Sequence, residues 1–127
     1  MEQRKKTLVI FDDDEDILSI CSYIMKARGW TVHTFVDCNN VVERLLPLNP
    51  DVVLMDNWIP DEGGIVATQA IRNSTMFKDL PVIYFSANSD IKSLAEQAGA
   101  DSFIAKPFNL DTLEKQIAQS AKLPGAQ

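Results

Sequence analysis

Five residues stand where an apolar run gives way to a group that could do chemistry: Asp12, Asp13, Asp56, Ser86 and Lys106. Leu8 to Phe11 runs into Asp12 and Asp13, and Val52 to Met55 runs into Asp56. Leu80-Pro81-Val82-Ile83-Tyr84-Phe85 ends at Ser86, and Asp101 to Ala105 ends at Lys106. Unalternating apolar runs suit strands covered on both faces, as in a parallel sheet. With strands in the order 2-1-3-4-5, these groups share one rim, and strands one and three meet where a crevice opens. Three carboxylates there repel one another by about 4 kcal/mol per contact at about 4 Å and an effective dielectric of about 20. Lys106 offsets one charge. An octahedral cation offsets the rest, and oxygen-only donors favour Mg²⁺. Such a set describes phosphoryl chemistry. Mg²⁺ and Lys106 neutralise the phosphoryl oxygens, Ser86 donates to one of them, and Asp56 is the in-line nucleophile. Neither G-x-x-x-x-G-K-[ST] nor G-x-G-x-x-G occurs, so no ATP-cradling loop is evident. The phosphoryl group is expected to arrive activated, from another protein or a small phosphodonor.

The elements that position these groups alternate strand with helix. Ile17, Ile20, Cys21 and Ile24 stripe a first helix, which Asp14 can cap and Gly29 stops. Trp30 to Phe35 alternates as an edge strand would. Asp37 or Asn39 can cap a second helix carrying Val41, Val42, Leu45 and Leu46, which Pro47 ends. Ile65, Ala67, Ala70 and Ile71 mark a third helix, and Ile91, Leu94, Ala95 and Ala98 a fourth, stopped by Gly99. Leu110, Leu113, Ile117 and Ala121 mark the fifth. Five strands and five flanking helices predict a doubly wound, flavodoxin-like α/β sheet as a single domain over 1–127, with 122–127 a fraying tail.

Composition narrows the function. The chain has 127 residues, 46% of them hydrophobic and 24% charged, with a net charge of −6. That balance disfavours direct nucleic-acid binding, which uses basic patches, and docking on anionic membrane. Cys21 and Cys38 lack C-x-x-C spacing and read as free thiols of a reducing compartment. The lone histidine, His33, reads as structural or solvated. The apolar run after the basic Met1 to Lys6 is too short for a signal peptide or a membrane span, so the protein is expected in the cytoplasm.

Taken together, these motifs resemble the receiver domain of the two-component response-regulator family over essentially the whole chain. Phe11-Asp12-Asp13-Asp14 resembles that family's acidic pair, and Val53-Leu54-Met55-Asp56 with Pro60 and Gly64 its phosphoacceptor segment. Ser86-Ala87 resembles its Thr/Ser-Ala step and Lys106-Pro107-Phe108 its Lys-Pro-Phe. The resemblance implies that Asp13, Asp56 and the Trp58 backbone carbonyl ligate Mg²⁺ directly, with Asp12 acting through a bound water. It also implies a cis peptide before Pro107. A sensor histidine kinase or histidine phosphotransfer protein would supply the phosphoryl group, and the domain would hydrolyse the aspartyl phosphate slowly by itself. That is a signalling phosphoacceptor, not an enzyme acting on a separate substrate. Output would leave by the fourth helix, fifth strand and fifth helix, toward an unknown target.

Departures from the family pattern are local. Phe103 stands where the family often has Tyr, so a switch there works by packing and not by a hydrogen bond. Gly63 replaces a commonly acidic residue. Trp58 and Asn88 stand where the family tunes phosphoryl lifetime, and Trp58 is expected to shield the acyl phosphate from water.

Plainer readings compete. Asp14, Glu15 and Asp16 read as helix cap and dipole partners. Ser86 and Lys106 alone would read as a loop hydroxyl and a surface amine. A haloacid-dehalogenase-type phosphohydrolase would take Asp12 as nucleophile and Asp14 as acid/base, but it gives Asp56 no role. A receiver-like module that binds partners without phosphorylation is the third reading.

Overall fold

Alternating strands and helices from Thr7 onward build one five-stranded parallel sheet in a computed structural model that describes residues 5–56, 63–87, 89–106 and 108–121. The strands are β1 (Thr7–Phe11), β2 (Thr31–Phe35), β3 (Val52–Asp56), β4 (Val82–Ser86) and β5 (Ser102–Ala105). Their order is β2-β1-β3-β4-β5, as the sequence predicts. Every residue of β1, β3 and β4 is buried, which is why these three read as continuous apolar runs. The edge strands β2 and β5 are partly exposed.

Successive side chains point to opposite faces of the sheet, and each face carries its own core. Leu8, Ile10, Leu54, Ile83 and Phe85 pack with Leu18, Cys21 and Met25 of α1 (Glu15–Ala27) and with Leu113 and Ile117 of α5 (Leu110–Ser120). Val9, Phe11, Val53, Met55, Val82 and Tyr84 pack against the other three helices, α2 (Val41–Leu45), α3 (Gly63–Asn73) and α4 (Ile91–Ala98).

Helix ends follow local chemistry. The Asp14 carboxylate accepts the Asp16 and Ile17 amides at the start of α1, satisfying two otherwise orphaned donors. Gly99 closes α4 in the left-handed region, at φ 86°. Arg72, at the end of α3, donates to the carbonyls of Gly99, Lys78 and Leu80 and pairs with Asp101. The Asp101 carboxylate also accepts the Val82 amide at 2.8 Å. One guanidinium thus ties α3 to the α4–β5 turn and to the approach to β4.

Three local expectations are corrected. Neither Asp37 nor Asn39 caps α2. Asn40 occupies that position at φ 54° without a side-chain cap bond, and Asp37 instead accepts the Asn39 amide and pairs with Arg44 at 2.8 Å. Ile20 is 49% exposed, because the buried stripe of α1 runs Leu18, Cys21, Met25 with Ile17 and Ile24 on its flanks. Leu46 is also exposed, since α2 ends at Leu45 and the chain turns there. The tail 122–127 lies outside the described residues.

Candidate phosphoacceptor site

Three strand ends supply the acids and the base. Asp12 follows β1 directly and is fully buried, Asp56 closes β3 at 2% exposure, and Lys106 follows β5. The β1–β3 register places Phe11 beside Met55, so the next residue of each segment, Asp12 and Asp56, emerges side by side with the other. Lys106 Nζ donates to Asp12 Oδ2 and to Asp56 Oδ1, each at 2.9 Å. The ammonium also lies 4.5 Å from the centroid of the Phe85 ring, a cation–π contact on the wall of the site. Phe108 packs against the same ring, with centroids 5.9 Å apart. Asp12 Oδ1 accepts the Asp14 amide at 2.8 Å.

Asp13 is exposed and offers its carboxylate from the rim. One carboxylate oxygen from each of Asp12, Asp13 and Asp56 lies within 4.8 Å of the other two. That spacing suits oxygen ligands around a single divalent ion, and three acids against one ammonium leave excess negative charge for a cation to offset. The donor set therefore fits Mg²⁺.

The acids are electrostatically strained in this arrangement. Burial pushes the Asp56 pKa up to about 6, with the Lys106 hydrogen bond opposing and the Asp12 charge adding to the rise. Asp12 is raised mainly by burial, against the Asp14 amide and Lys106. Burial opposes the Lys106 ammonium too, yet the hydrogen bonds it donates to Asp56 and Asp12 hold its pKa above the ordinary value.

Ser86 ends β4 at 1% exposure, one residue beyond the Phe85 that pairs with Asp56, and its carbonyl accepts the Lys106 amide at 2.9 Å. Phe103 sits on the outer strand β5 at 38% exposure and lines a hollow of about 290 Å³ between α4 and β5. Trp58, Asn88 and Pro107 lie outside the described residues.

The Asp14 carboxylate is engaged in capping α1. The phosphohydrolase reading thereby loses its acid/base.

Residues 8–118 match the family of the response regulator receiver domain. The chain belongs to that family. This receiver is 30% identical over 119 residues to the CAI-1 autoinducer sensor kinase/phosphatase CqsS of Vibrio cholerae, a match covering 91% of the receiver. The receiver spans only 17% of that relative's length. Its fold is that of chemotaxis protein CheY4 of Vibrio cholerae, with a TM-score of 0.83, 23% identity, and 92% and 99% of the two chains covered. The receiver domain of sensor histidine kinase PA1611 from Pseudomonas aeruginosa superposes with a TM-score of 0.84 at 23% identity, covering 93% and 98%. That neighbour carries a magnesium ion coordinated in its active-site cleft. No described helix of the receiver is long and apolar enough to cross a membrane.

Gly64, read in the sequence only as part of the phosphoacceptor segment, and Tyr84, not singled out there, both bear on this site. Gly64 packs so closely on β3 that a Cβ there would stand 2.3 Å from the Asp56 carbonyl oxygen. Tyr84 reads as an ordinary core aromatic, but its hydroxyl reaches the same spot, 3.1 Å from that Cβ position. The Asp56–Gly64 spacing hinted at the first. Nothing in the sequence marks the second.

Proposed function

We propose that Asp56 accepts a phosphoryl group, and that the observation carrying this reading is the bidentate grip of Lys106 on Asp12 and Asp56 beside the exposed Asp13. Asp13, Asp56 and the Trp58 carbonyl would hold Mg²⁺ directly, with Asp12 acting through water. The bound ion supplies positive charge that neutralises phosphoryl oxygens. An ionised Asp56 oxygen attacks phosphorus in line. The bond from phosphorus to the donor nitrogen breaks, and the leaving imidazole keeps that electron pair and is protonated. Lys106 moves its ammonium onto a phosphoryl oxygen as Asp56 loses negative charge, and the Ser86 hydroxyl donates to another. Water later cleaves the acyl phosphate and restores the carboxylate.

The partner in this reading is a sensor histidine kinase or a histidine phosphotransfer protein in the cytoplasm. Residues 1–127 act as one receiver unit that signals and turns over no separate substrate. Trp58 and Asn88 set the lifetime of the phosphorylated state. Ser86 and Phe103 pass it to the α4–β5 face, and a cis peptide before Pro107 would aim Lys106. Phosphoimidazole, standing in for phosphohistidine, tests the acceptor when phosphorylation is followed by borohydride reduction and peptide mapping. Conversion of residue 56 to the reduced alcohol is the expected result. Reduction at another acid, or none, overturns the reading.

A further inference from the structure

Tyr84 places a phenol hydroxyl in the core directly behind the acceptor strand. The residue is fully buried on β4, beside Met55 of β3, and its ring lies on the sheet face covered by α2, α3 and α4. The ring reaches the start of α3. The Asp56 carbonyl oxygen and Tyr84 Oη flank the point where a Gly64 Cβ would stand, at 2.3 Å and 3.1 Å from it. Cys38 Sγ donates to the Gly63 carbonyl at 3.5 Å. Burial first, then the charge of Asp56, raises the phenol pKa above its ordinary value, so the hydroxyl stays protonated. A phenylalanine would fill the same volume, so packing alone does not call for the oxygen.

These neighbours of Gly63 and Gly64 stand at both ends of one chain segment. Residue 56 enters it and Gly63 leaves it, and the acceptor carboxylate belongs to its first residue. The backbone of Asp56 fixes where that carboxylate stands relative to Lys106 and Asp13. Shifting the carbonyl by a fraction of an ångström displaces the nucleophile, and in-line transfer is sensitive to such displacement.

We propose that Tyr84 is a positioning residue for phosphoryl transfer, its hydroxyl fixing the Asp56 backbone against Gly64 at the start of α3. This inference rests on Asp56 being the acceptor. Tyr84 is assigned no contact with the phosphoryl group or the ion. It acts through the backbone that carries the nucleophile.

The test compares parent, Tyr84→Phe and Asp56→Asn, using phosphoramidate and Mg²⁺ and following intact mass with time. Thermal midpoint and Mg²⁺ affinity are measured on the same samples. Tyr84→Phe is expected to melt within a few degrees of the parent. Its first-order phosphorylation and dephosphorylation rate constants should each change by about fivefold or more. A merely structural role would move the melting temperature and leave the rates of the folded protein alone, so rates within twofold of the parent overturn the proposal. Should Tyr84→Phe fail to fold, Tyr84→Met, which keeps a long apolar side chain, is judged by the same rates. Phosphorylation of Asp56→Asn equal to the parent's would remove the acceptor reading and this inference with it. An Asp56-dependent parent with an unaltered Tyr84→Phe removes only the inference.

Discussion

Burial disfavours the ionised form of Asp56. Its pKa of about 6 lies above the ordinary 3.8, so between those values the folded chain binds more protons than the unfolded one. Stability from this group is present below about pH 4 and is lost as pH rises through about 6. In chelator at pH 7, Asp56→Asn should therefore stabilise the protein by roughly 2–3 kcal/mol, and the gain should shrink toward pH 5. Urea unfolding at both pH values checks this, and an equal or greater gain at pH 5 would contradict it. Mg²⁺ should raise the parent's stability and leave Asp56→Asn much less affected, because the ion binds the ionised site and adds linkage energy. At the same scale, Trp58→Ala should shorten the lifetime of the phosphorylated state, read as a faster mass loss after donor removal.

Elements, more than single side chains, decide where the acids stand. Gly64 lets α3 begin against the Asp56 carbonyl, and a methyl group there would collide with backbone that cannot rotate away. Gly64→Ala should cost about 2–4 kcal/mol and slow phosphorylation, with Tyr84→Phe affecting the rate far more than the stability. Arg72 does comparable work at the far end of α3 through Gly99, Leu80 and Asp101. Arg72→Ala should lower stability by about 1–3 kcal/mol, read from the urea midpoint, since it removes the charged donor shared by the Gly99 and Leu80 carbonyls and the Asp101 carboxylate.

How much of this was legible in the sequence follows from range. Buried strands announce themselves as apolar runs, and the rim residues follow because each run ends in a charged or hydroxyl group. The α1 cap was readable because Asp14 bonds two amides within three residues. The α2 cap was not, because Asn40 takes a left-handed conformation that no side-chain pattern signals. Ile20 reads as core by periodicity, since positions three and four apart both satisfy a helical stripe and only the docked sheet selects between them. Arg72 and Tyr84 act across the fold, and a linear pattern carries no trace of such contacts.

At the scale of the whole molecule, the parallel sheet turns residues distant in sequence into one receptor. β1, β3 and β5 each deliver one member of the Asp12–Asp56–Lys106 set to the same rim, while two separate cores hold the helices that fix those strands. No one segment contains the site. Acceptance of a phosphoryl group should therefore demand the assembled fold, a divalent cation and the carboxylate on β3 together. Intact-mass spectrometry after incubation with phosphoramidate measures this most directly. The parent in Mg²⁺ should gain the mass of one phosphoryl group, and neither the parent in chelator nor Asp56→Asn in Mg²⁺ should gain it. A parent that stays unmodified in Mg²⁺, or an Asp56→Asn protein that gains the same mass, would contradict the account.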